Sequence, residues 1–321
     1  METTAASPGS SPGIVSLPTD ELETPPLSLG QLTWRRFRRH KMAIAGSVVL
    51  IALVLYALVG AFFYSEAQAN HTDTKLRLAA PTNVHPFGTD TVGRDILART
   101  IYGGQISILI GIFAMSVEVT VGVLIGSVSG FYGGKIDSVL MRFTEAVLII
   151  PQIFLLLVMA KYFGDKVGNV TLFGRTFSGS VVVIVLIIGL TSWPYLARIV
   201  RAQFLSLKEN EFVLAARATG TPRSQIIFRH ILPNSIAPIA VAATLGVANA
   251  IALEAYISFL GLGVRAPTAT WGNMLQGAYN YIATAWWLWF FPGFLMALTV
   301  LSINFIGDGL RDALDPRSRA V

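Results

Sequence analysis

The chain has 321 residues, of which 53% are hydrophobic and only 13% are charged, and its mean hydropathy is +0.62. Soluble domains carry about a quarter charged residues, so this composition predicts a polytopic membrane protein. The absence of cysteine excludes disulfides, thiolate catalysis and cysteine metal sites. The net charge of +6 does not require a nucleic-acid partner, because basic residues beside apolar spans set membrane orientation.

The N-terminal region is polar and then abruptly basic. Residues 1–33 contain many Pro, Ser and Gly residues and cannot bury enough apolar surface to fold, which predicts a disordered cytoplasmic tail. A basic cluster at 35–41 precedes an uncharged stretch as long as a membrane span, the pattern of an uncleaved signal anchor. We therefore predict a first transmembrane helix with a basic flank at 34–66. As the flank of a span, the cluster needs no nucleic acid.

The remaining chain alternates apolar stretches with polar loops. After an extracytoplasmic segment at 67–103, we predict a five-helix core at 104–308 and a cytoplasmic tail at 309–321. Each core stretch is close to the length of about 20 residues that crosses the hydrocarbon core of a bilayer. These stretches lie at about 104–130, 143–163, 180–200, 235–260 and 285–306. The all-α fold thus has six transmembrane helices in total.

Prolines and aromatic residues add detail to this scheme. Pro151 and Pro194 lie inside predicted spans, and we interpret both as kinks, with a gating hinge as the alternative. The segment Gly88–Arg99 is predicted to be an amphipathic helix on the outer interface, capped by Asp90. Three tryptophans near the start of the last span predict an interfacial anchor. They are Trp286, Trp287 and Trp289.

The distribution of basic residues predicts the orientation. With the N-terminal tail, the 131–142 loop, the 198–234 segment and the C-terminal tail assigned to the cytoplasm, two thirds of the Lys and Arg residues lie inside. This bias predicts that both termini are cytoplasmic.

Three acidic residues lie within predicted spans, and Glu145, near the start of its span, is interpreted as structural. A charge at bilayer depth is costly, so an intramembrane carboxylate is a candidate functional group. Glu118 and Glu254 are therefore candidates for the translocation path. The alternative for each is a structural carboxylate that is buried against a neighbouring helix and hydrogen-bonded there.

The sequence lacks the residues that other classes of function require. None of the four His residues lies in a predicted span, so an intramembrane Ser–His pair or a His metal site cannot form. The only Gly–Lys pair, Gly134–Lys135, is followed by Ile136, so there is no phosphate-binding loop and no ATPase motif. No inverted repeat points to a stand-alone secondary transporter. The spacing of Asp308, Asp312 and Asp315 follows a tail helix, so we predict neither a metal site nor a cofactor.

The most informative segment is the predicted cytoplasmic loop at 205–234. Residues 208–219 are good helix formers, and Gly220 then supplies the left-handed stop of a helix end. Thr221 is predicted to cap a second helix with Pro222 at its first position. This second helix is predicted to end at Pro233. We call this helix–Gly–Pro–helix segment at 205–234 the elbow. Because small alanines let a partner approach the backbone, the elbow is predicted to dock a partner protein. An ordinary solvated loop is the alternative.

This loop resembles the EAA loop of binding-protein-dependent ABC importer permeases. The family pattern is EAA, three residues, Gly, nine residues and I-x-L-P. Leu214 stands where the family has Glu, and His230 stands where it has Ile; Glu211 lies one helical turn earlier on the same face. The matching positions are Ala215, Ala216, Gly220, Leu232 and Pro233.

Further segments are similar to the dipeptide and oligopeptide branch of that family, in which the sequence FRHILPN, found here at 228–234, is usual. The similarity covers roughly residues 31–317, and its other parts are His85–Ser107, Leu253–Leu275 and Gly307–Pro316. The resemblance implies a type I importer permease fold in a bacterial inner membrane. It also implies three kinds of protein partner: a second homologous permease subunit, ABC ATPase subunits and an extracytoplasmic substrate-binding protein.

The resemblance also implies a function. It predicts a permease that couples a separate ATPase to alternating access, with dipeptides or oligopeptides as solute and nickel or oligosaccharides as alternatives. ATPase coupling is assigned to the elbow. The site residues implied are Glu211, Ala215, Ala216, Gly220, Arg229, His230, Leu232 and Pro233.

Overall fold

The structure, a computed structural model, describes residues 28–164, 166–172 and 175–315. Most of the predicted N-terminal tail and the end of the C-terminal tail therefore lie outside the described residues. The described residues are mainly helical. In chain order the elements are α1 (Leu29–Phe37), α2 (Lys41–Phe63), α3 (Glu66–Asn70), α4 (Ile96–Tyr132), α5 (Gly134–Ile149), α6 (Gln152–Phe163), β1 (Val170–Leu172), β2 (Arg175–Phe177), α7 (Gly179–Leu207), α8 (Glu211–Ala218), α9 (Arg223–Gln225), α10 (Leu232–Asn234), α11 (Ile236–Phe259), α12 (Trp271–Met274) and α13 (Trp287–Leu314).

Five of these helices are long and apolar enough to cross a membrane: α2, α4, α7, α11 and α13. The short strands β1 and β2 pair as an antiparallel hairpin. Helices α5 and α6 together form a sixth apolar segment, but they meet at an angle of 81°. The sixth segment therefore starts before the predicted range 143–163, and the kink predicted at Pro151 is a full break between two helices. Ile150 is extended and Pro151 precedes the first turn of α6, so the chain breaks between two helices. Pro194, by contrast, lies inside the continuous helix α7.

The outer entry to α4 also differs from expectation. The helix begins at Ile96, not near residue 104, and Asp95 caps it by accepting a hydrogen bond from the Ala98 N–H at 2.8 Å. Asp90 instead closes a turn by accepting hydrogen bonds from the backbone N–H groups of Val92 and Arg94 at 2.9 Å each. The predicted interfacial helix over 88–99 is wrong, because its first half is this turn.

One of the three tryptophans predicted as an interfacial anchor is part of the core. The Trp287 side chain is buried and its Nε1–H donates to the Thr89 carbonyl at 3.1 Å. Trp286 and Trp289 are exposed. Of the three tryptophans, two are exposed, and the third is hydrogen-bonded to the turn before α4.

Helices α4 and α7 form the most extensive contact in the fold. Gly122, Gly126 and Gly130 recur on α4 at every fourth residue and face α7. A Cβ at Gly126 would lie 2.5 Å from the Ala197 carbonyl oxygen, so no side chain fits there. Small residues at this spacing allow two helix backbones to approach closely in a membrane.

The two described ends of the chain lie together. His40 Nε2 is 3.4 Å from Asp312 Oδ2, and Arg36 Nη1 donates to the Asp315 carbonyl at 3.1 Å. Helix α1 packs against α13, which continues to Leu314, so most of the tail predicted from residue 309 is helical where it is described. Within the described ranges, no group of three or more His, Asp or Glu is arranged to hold a metal ion.

Candidate coupling elbow and intramembrane cavity

The elbow at 205–234 begins with α8 and a regular helix stop. Gly220 has φ of +77°, in the left-handed region that favours glycine. Its N–H donates to the Arg217 carbonyl at 3.0 Å, and the Thr221 N–H donates to the Ala216 carbonyl at 3.0 Å. These two bonds form a Schellman motif, so the predicted stop at Gly220 is confirmed. The predicted cap at Thr221 is wrong, because Pro222 occupies the N-cap position and no side chain caps α9.

The second arm of the elbow is not a plain α-helix. Residues Ile226–Ile231 are π-helical, with the Leu232 N–H bonded to the Ile227 carbonyl. Pro233 has no N–H to donate, which disfavours the regular ladder here. The Asn234 side chain donates to the His230 carbonyl at 2.7 Å, and Ser235 then leads directly into α11. The prediction that the second helix ends at Pro233 is wrong. The helical register shifts at Pro233, and the chain continues into α11.

The elbow is packed firmly onto the end of α7. Val213, Ile226 and Ile231 are buried against Val200 and Phe204 in one apolar cluster. A fully buried core residue is close-packed and transmits displacement rather than absorbing it. The two arms and α7 therefore form one mechanical unit.

The outer face of the elbow is apolar and exposed. Phe228 is 63% exposed on the second arm, and Phe212 and Leu214 are exposed on α8. The structure divides the two alanines of the motif: Ala215 is exposed, whereas Ala216 is buried in the apolar cluster. Of the two, only Ala215 is available to a partner, and Ala216 serves internal packing.

The polar residues predicted for the elbow occupy different positions. Glu211 is exposed in the first turn of α8, one turn before exposed Leu214. Arg229 is exposed, and His230 and Leu232 are half-buried on the π-helical arm and its continuation. The elbow thus exposes charged groups of both signs as well as large apolar side chains.

A separate polar contact links the helices next to the elbow. Arg201 on α7 donates from Nε and Nη2 to the two carboxylate oxygens of Asp137 on α5, at 2.5 and 2.6 Å. Ser129 on α4 donates a further hydrogen bond to Asp137. A bidentate Arg–carboxylate pair fixes geometry more firmly than a single contact. This site joins three helices, and no local sequence pattern predicts it because its members are far apart in the chain.

The two candidate acids, Glu118 and Glu254, lie in different surroundings. Glu118 lines a cavity of about 510 Å³ between α4, α7, α11 and the break between α5 and α6. Glu254 lines no such space: it is fully buried, and its Oε1 accepts from the Ser258 and Thr270 hydroxyls at 2.6 and 2.8 Å. The contacts of Glu254 favour the structural alternative, and its pathway role stays a prediction.

A loop at 260–286, named the outer loop after the predicted orientation, closes the end of α11 opposite the elbow. The Trp271 Nε1–H donates to the Thr100 carbonyl at 3.0 Å, and the ring lies against Gly104, where a Cβ would meet it at 2.6 Å. Asn273 donates to the Thr268 and Val264 carbonyls at 2.8 and 3.1 Å. Together with Glu254, these contacts make the loop part of the core.

Six apolar segments, an exposed elbow between α7 and α11, and an intramembrane cavity define an integral membrane protein of the ABC importer permease class. The fold is supported by a solved structure of the MetNI methionine ABC transporter in an inward-facing conformation. That chain is 21% identical with a TM-score of 0.50, and the match covers 68% of this chain and 96% of the MetNI chain.

The chain belongs to the family described as binding-protein-dependent transport system inner membrane component, which matches residues 122–320. Residues 28–81 match the N-terminal TM domain of oligopeptide transport permease C. The oligopeptide transport system permease protein OppC of Haemophilus influenzae is 42% identical, over 94% of this chain and 92% of the relative. The dipeptide transport system permease protein DppC of Bacillus subtilis is 38% identical, over 94% and 89% respectively. The permease resemblance is therefore confirmed.

Proposed function

We propose that this permease imports dipeptides or oligopeptides through a bacterial inner membrane, driven by ATP hydrolysis in separate subunits. The printed names of the relatives, which are oligopeptide and dipeptide permeases, support the solute. The absence of a phosphate-binding loop from the sequence supports a chain that hydrolyses no ATP itself. Nickel and oligosaccharides are the alternative solutes.

The complex proposed has four kinds of subunit: this chain, a second homologous permease, ABC ATPase subunits and an extracytoplasmic binding protein. The observation that carries the coupling role is that the elbow exposes three large apolar side chains, which are Phe212, Leu214 and Phe228. Exposed apolar patches of this kind mark protein contact sites. The ATPase subunits would cover this face, and the basic Arg229 at its edge would contact acidic groups around their groove.

Movement of the ATPase subunits would reach the membrane through the packed cluster of the elbow. Because Val213 and Ile226 are buried against Phe204, displacement of the elbow moves the end of α7. The Arg201–Asp137 pair then passes the movement to α5, and the break at Ile150–Pro151 lets α5 and α6 reorient separately. A rigid-body shift of this kind would alternate access to the cavity.

Orientation is tested by thiol labelling, for which the absence of cysteine is an advantage. Ser224 on the elbow and Lys75 on the opposite side are both exposed. In intact cells, Ser224→Cys should resist an impermeant maleimide and Lys75→Cys should react with it. Reaction of Ser224→Cys from outside would overturn both the topology and the docking role.

The function is tested in proteoliposomes. The complete complex should import short peptides and show peptide-stimulated ATP hydrolysis, whereas this subunit alone should transport nothing and hydrolyse no ATP. Stimulation by nickel or a sugar but by no peptide would overturn the solute assignment. Flux through this subunit alone would favour a stand-alone transporter.

A further inference from the structure

The cavity lined by Glu118 has the size and lining of a ligand site. Its volume of about 510 Å³ lies within the usual range of small-molecule pockets. The walls are largely apolar, and a few polar side chains converge on the space. The polar lining residues are Glu118, Gln152, Thr191, Ser192, Tyr195 and Asn249.

Glu118 is buried without a partner. The residue is only 8% exposed, and among the described residues its carboxylate has no hydrogen bond or ion pair. Its Oε2 lies against Gly246 on α11, where a Cβ would be only 3.2 Å away. A buried carboxylate needs a cation or several hydrogen-bond donors to offset its desolvation. The cavity in front of Glu118 is therefore suited to a cationic group.

The start of α6, which also lines the cavity, favours a negatively charged group. This helix of 12 residues begins at the break, and no side chain caps it. Its first intrahelical bond runs from the Leu155 N–H to the Pro151 carbonyl, so the N–H groups of residues 152–154 have no partner within the helix. A helix N-terminus of this kind favours a carboxylate. Pro151, Gln152 and Leu155 all line the cavity with Glu118.

We propose that this cavity holds a zwitterionic peptide in transit, with the peptide ammonium on Glu118 and the peptide carboxylate at the N-terminus of α6. The inference rests on the proposed function and deepens it. A neutral sugar would donate only uncharged hydroxyl hydrogen bonds to Glu118 and would bring no carboxylate to the N-terminus of α6. A nickel ion would find one carboxylate and no His or Cys in the lining. A free peptide supplies both required charges.

The test compares import of three forms of one peptide by the complete complex: free, N-acetylated and C-amidated. The peptides are chosen so that the purified binding protein holds all three with equal Kd, which leaves the permease as the source of any difference. The unmodified complex should import the free peptide about tenfold faster than either blocked form, as expected for one lost charge-assisted hydrogen bond.

The variant Glu118→Gln should abolish the preference for a free amino terminus and keep the preference for a free carboxyl terminus. Glu118→Asp should restore part of the amino-terminal preference. Glu145→Gln is the matched control, because Glu145 is an exposed carboxylate on α5 that pairs with Arg142, and it should leave both preferences unchanged.

The readout separates recognition from folding, because a damaged permease would import all three peptides more slowly by the same factor. An unchanged amino-terminal preference in Glu118→Gln, or an equal loss for all three forms, would overturn the role of Glu118. Equal import of the free and amidated peptides by the unmodified complex would overturn the role of α6. Failure of the unmodified complex to import any peptide would instead overturn the proposed function.

Discussion

The two loops that flank α11 are built in opposite ways. The outer loop at 260–286 satisfies its polar groups internally: Trp271, Asn273 and Thr270 all bond to neighbouring parts of the chain. The elbow before α11 has a packed inner face but leaves Phe228 63% exposed. One helix thus carries a loop that is complete within the subunit at one end and an apolar surface open to a partner at the other.

This difference shows where stability and coupling reside. Substitutions in the outer loop should lower the stability of the subunit, because side chains of this loop are buried and form part of its core. Substitutions on the outer face of the elbow should act on assembly, because the residues exposed there contribute little to the free subunit. The three predictions below test this division, from the largest expected effect to the smallest.

Trp271→Ala should destabilise the subunit by about 3–5 kcal/mol, since the substitution removes a fully buried aromatic side chain and leaves the Thr100 carbonyl without its donor. Thermal unfolding of the purified protein in detergent measures the effect. The matched control is Trp286→Ala, because Trp286 is 47% exposed. Equal losses for the two variants would mean that the outer loop is not part of the core.

Gly220→Val should strain the elbow by about 1–2 kcal/mol, because a β-branched residue is unfavourable at positive φ. There is no atom within 4 Å of the position a Cβ would take, so backbone conformation alone causes the cost. Membrane insertion should persist, while ATP hydrolysis becomes uncoupled from import.

The control for this prediction is Gly220→Asn, since asparagine adopts the left-handed conformation more readily. It should retain most coupled transport. If both variants transport normally, the Schellman stop has no role in coupling.

Phe228→Ala should change the stability of the free subunit by less than about 0.5 kcal/mol, as expected for an exposed site. Its affinity for the ATPase subunits should nevertheless fall about tenfold, because an aromatic residue at an interface centre is often a hot spot. Co-purification at graded salt and protein concentration measures the affinity. Ile226→Ala, at a buried position of the same arm, should show the reverse pattern.

Features predicted correctly from the sequence were local ones. Gly220 was recognisable because a helix stop depends on the residues immediately around it. The prediction that Asp90 caps an interfacial helix is wrong, because Asp90 closes a turn and Asp95 caps α4 instead. A proline in an apolar stretch predicts a bend at Pro151, but the angle of 81° between α5 and α6 is a tertiary feature that local residues do not determine.

The candidate pathway residues show the same limit. Glu118 and Glu254 are both single acids in apolar stretches, which differ in the sequence only in that Glu118 lies mid-span and Glu254 lies nearer a span end. Only tertiary packing gives Glu254 two hydroxyl donors and places Glu118 beside a cavity. The partner of a buried charge lies on another helix, and a single sequence contains no direct record of that contact.

The contact between α1 and α13 fixes the parity of the membrane crossings. Because His40 and Asp312 lie within ion-pair distance, the chain enters its first span and leaves its last span on the same side. A chain that returns to its starting side has crossed an even number of times. Five crossings by the long helices would be an odd number, so we expect the bent pair α5–α6 to cross once rather than to dip in and return.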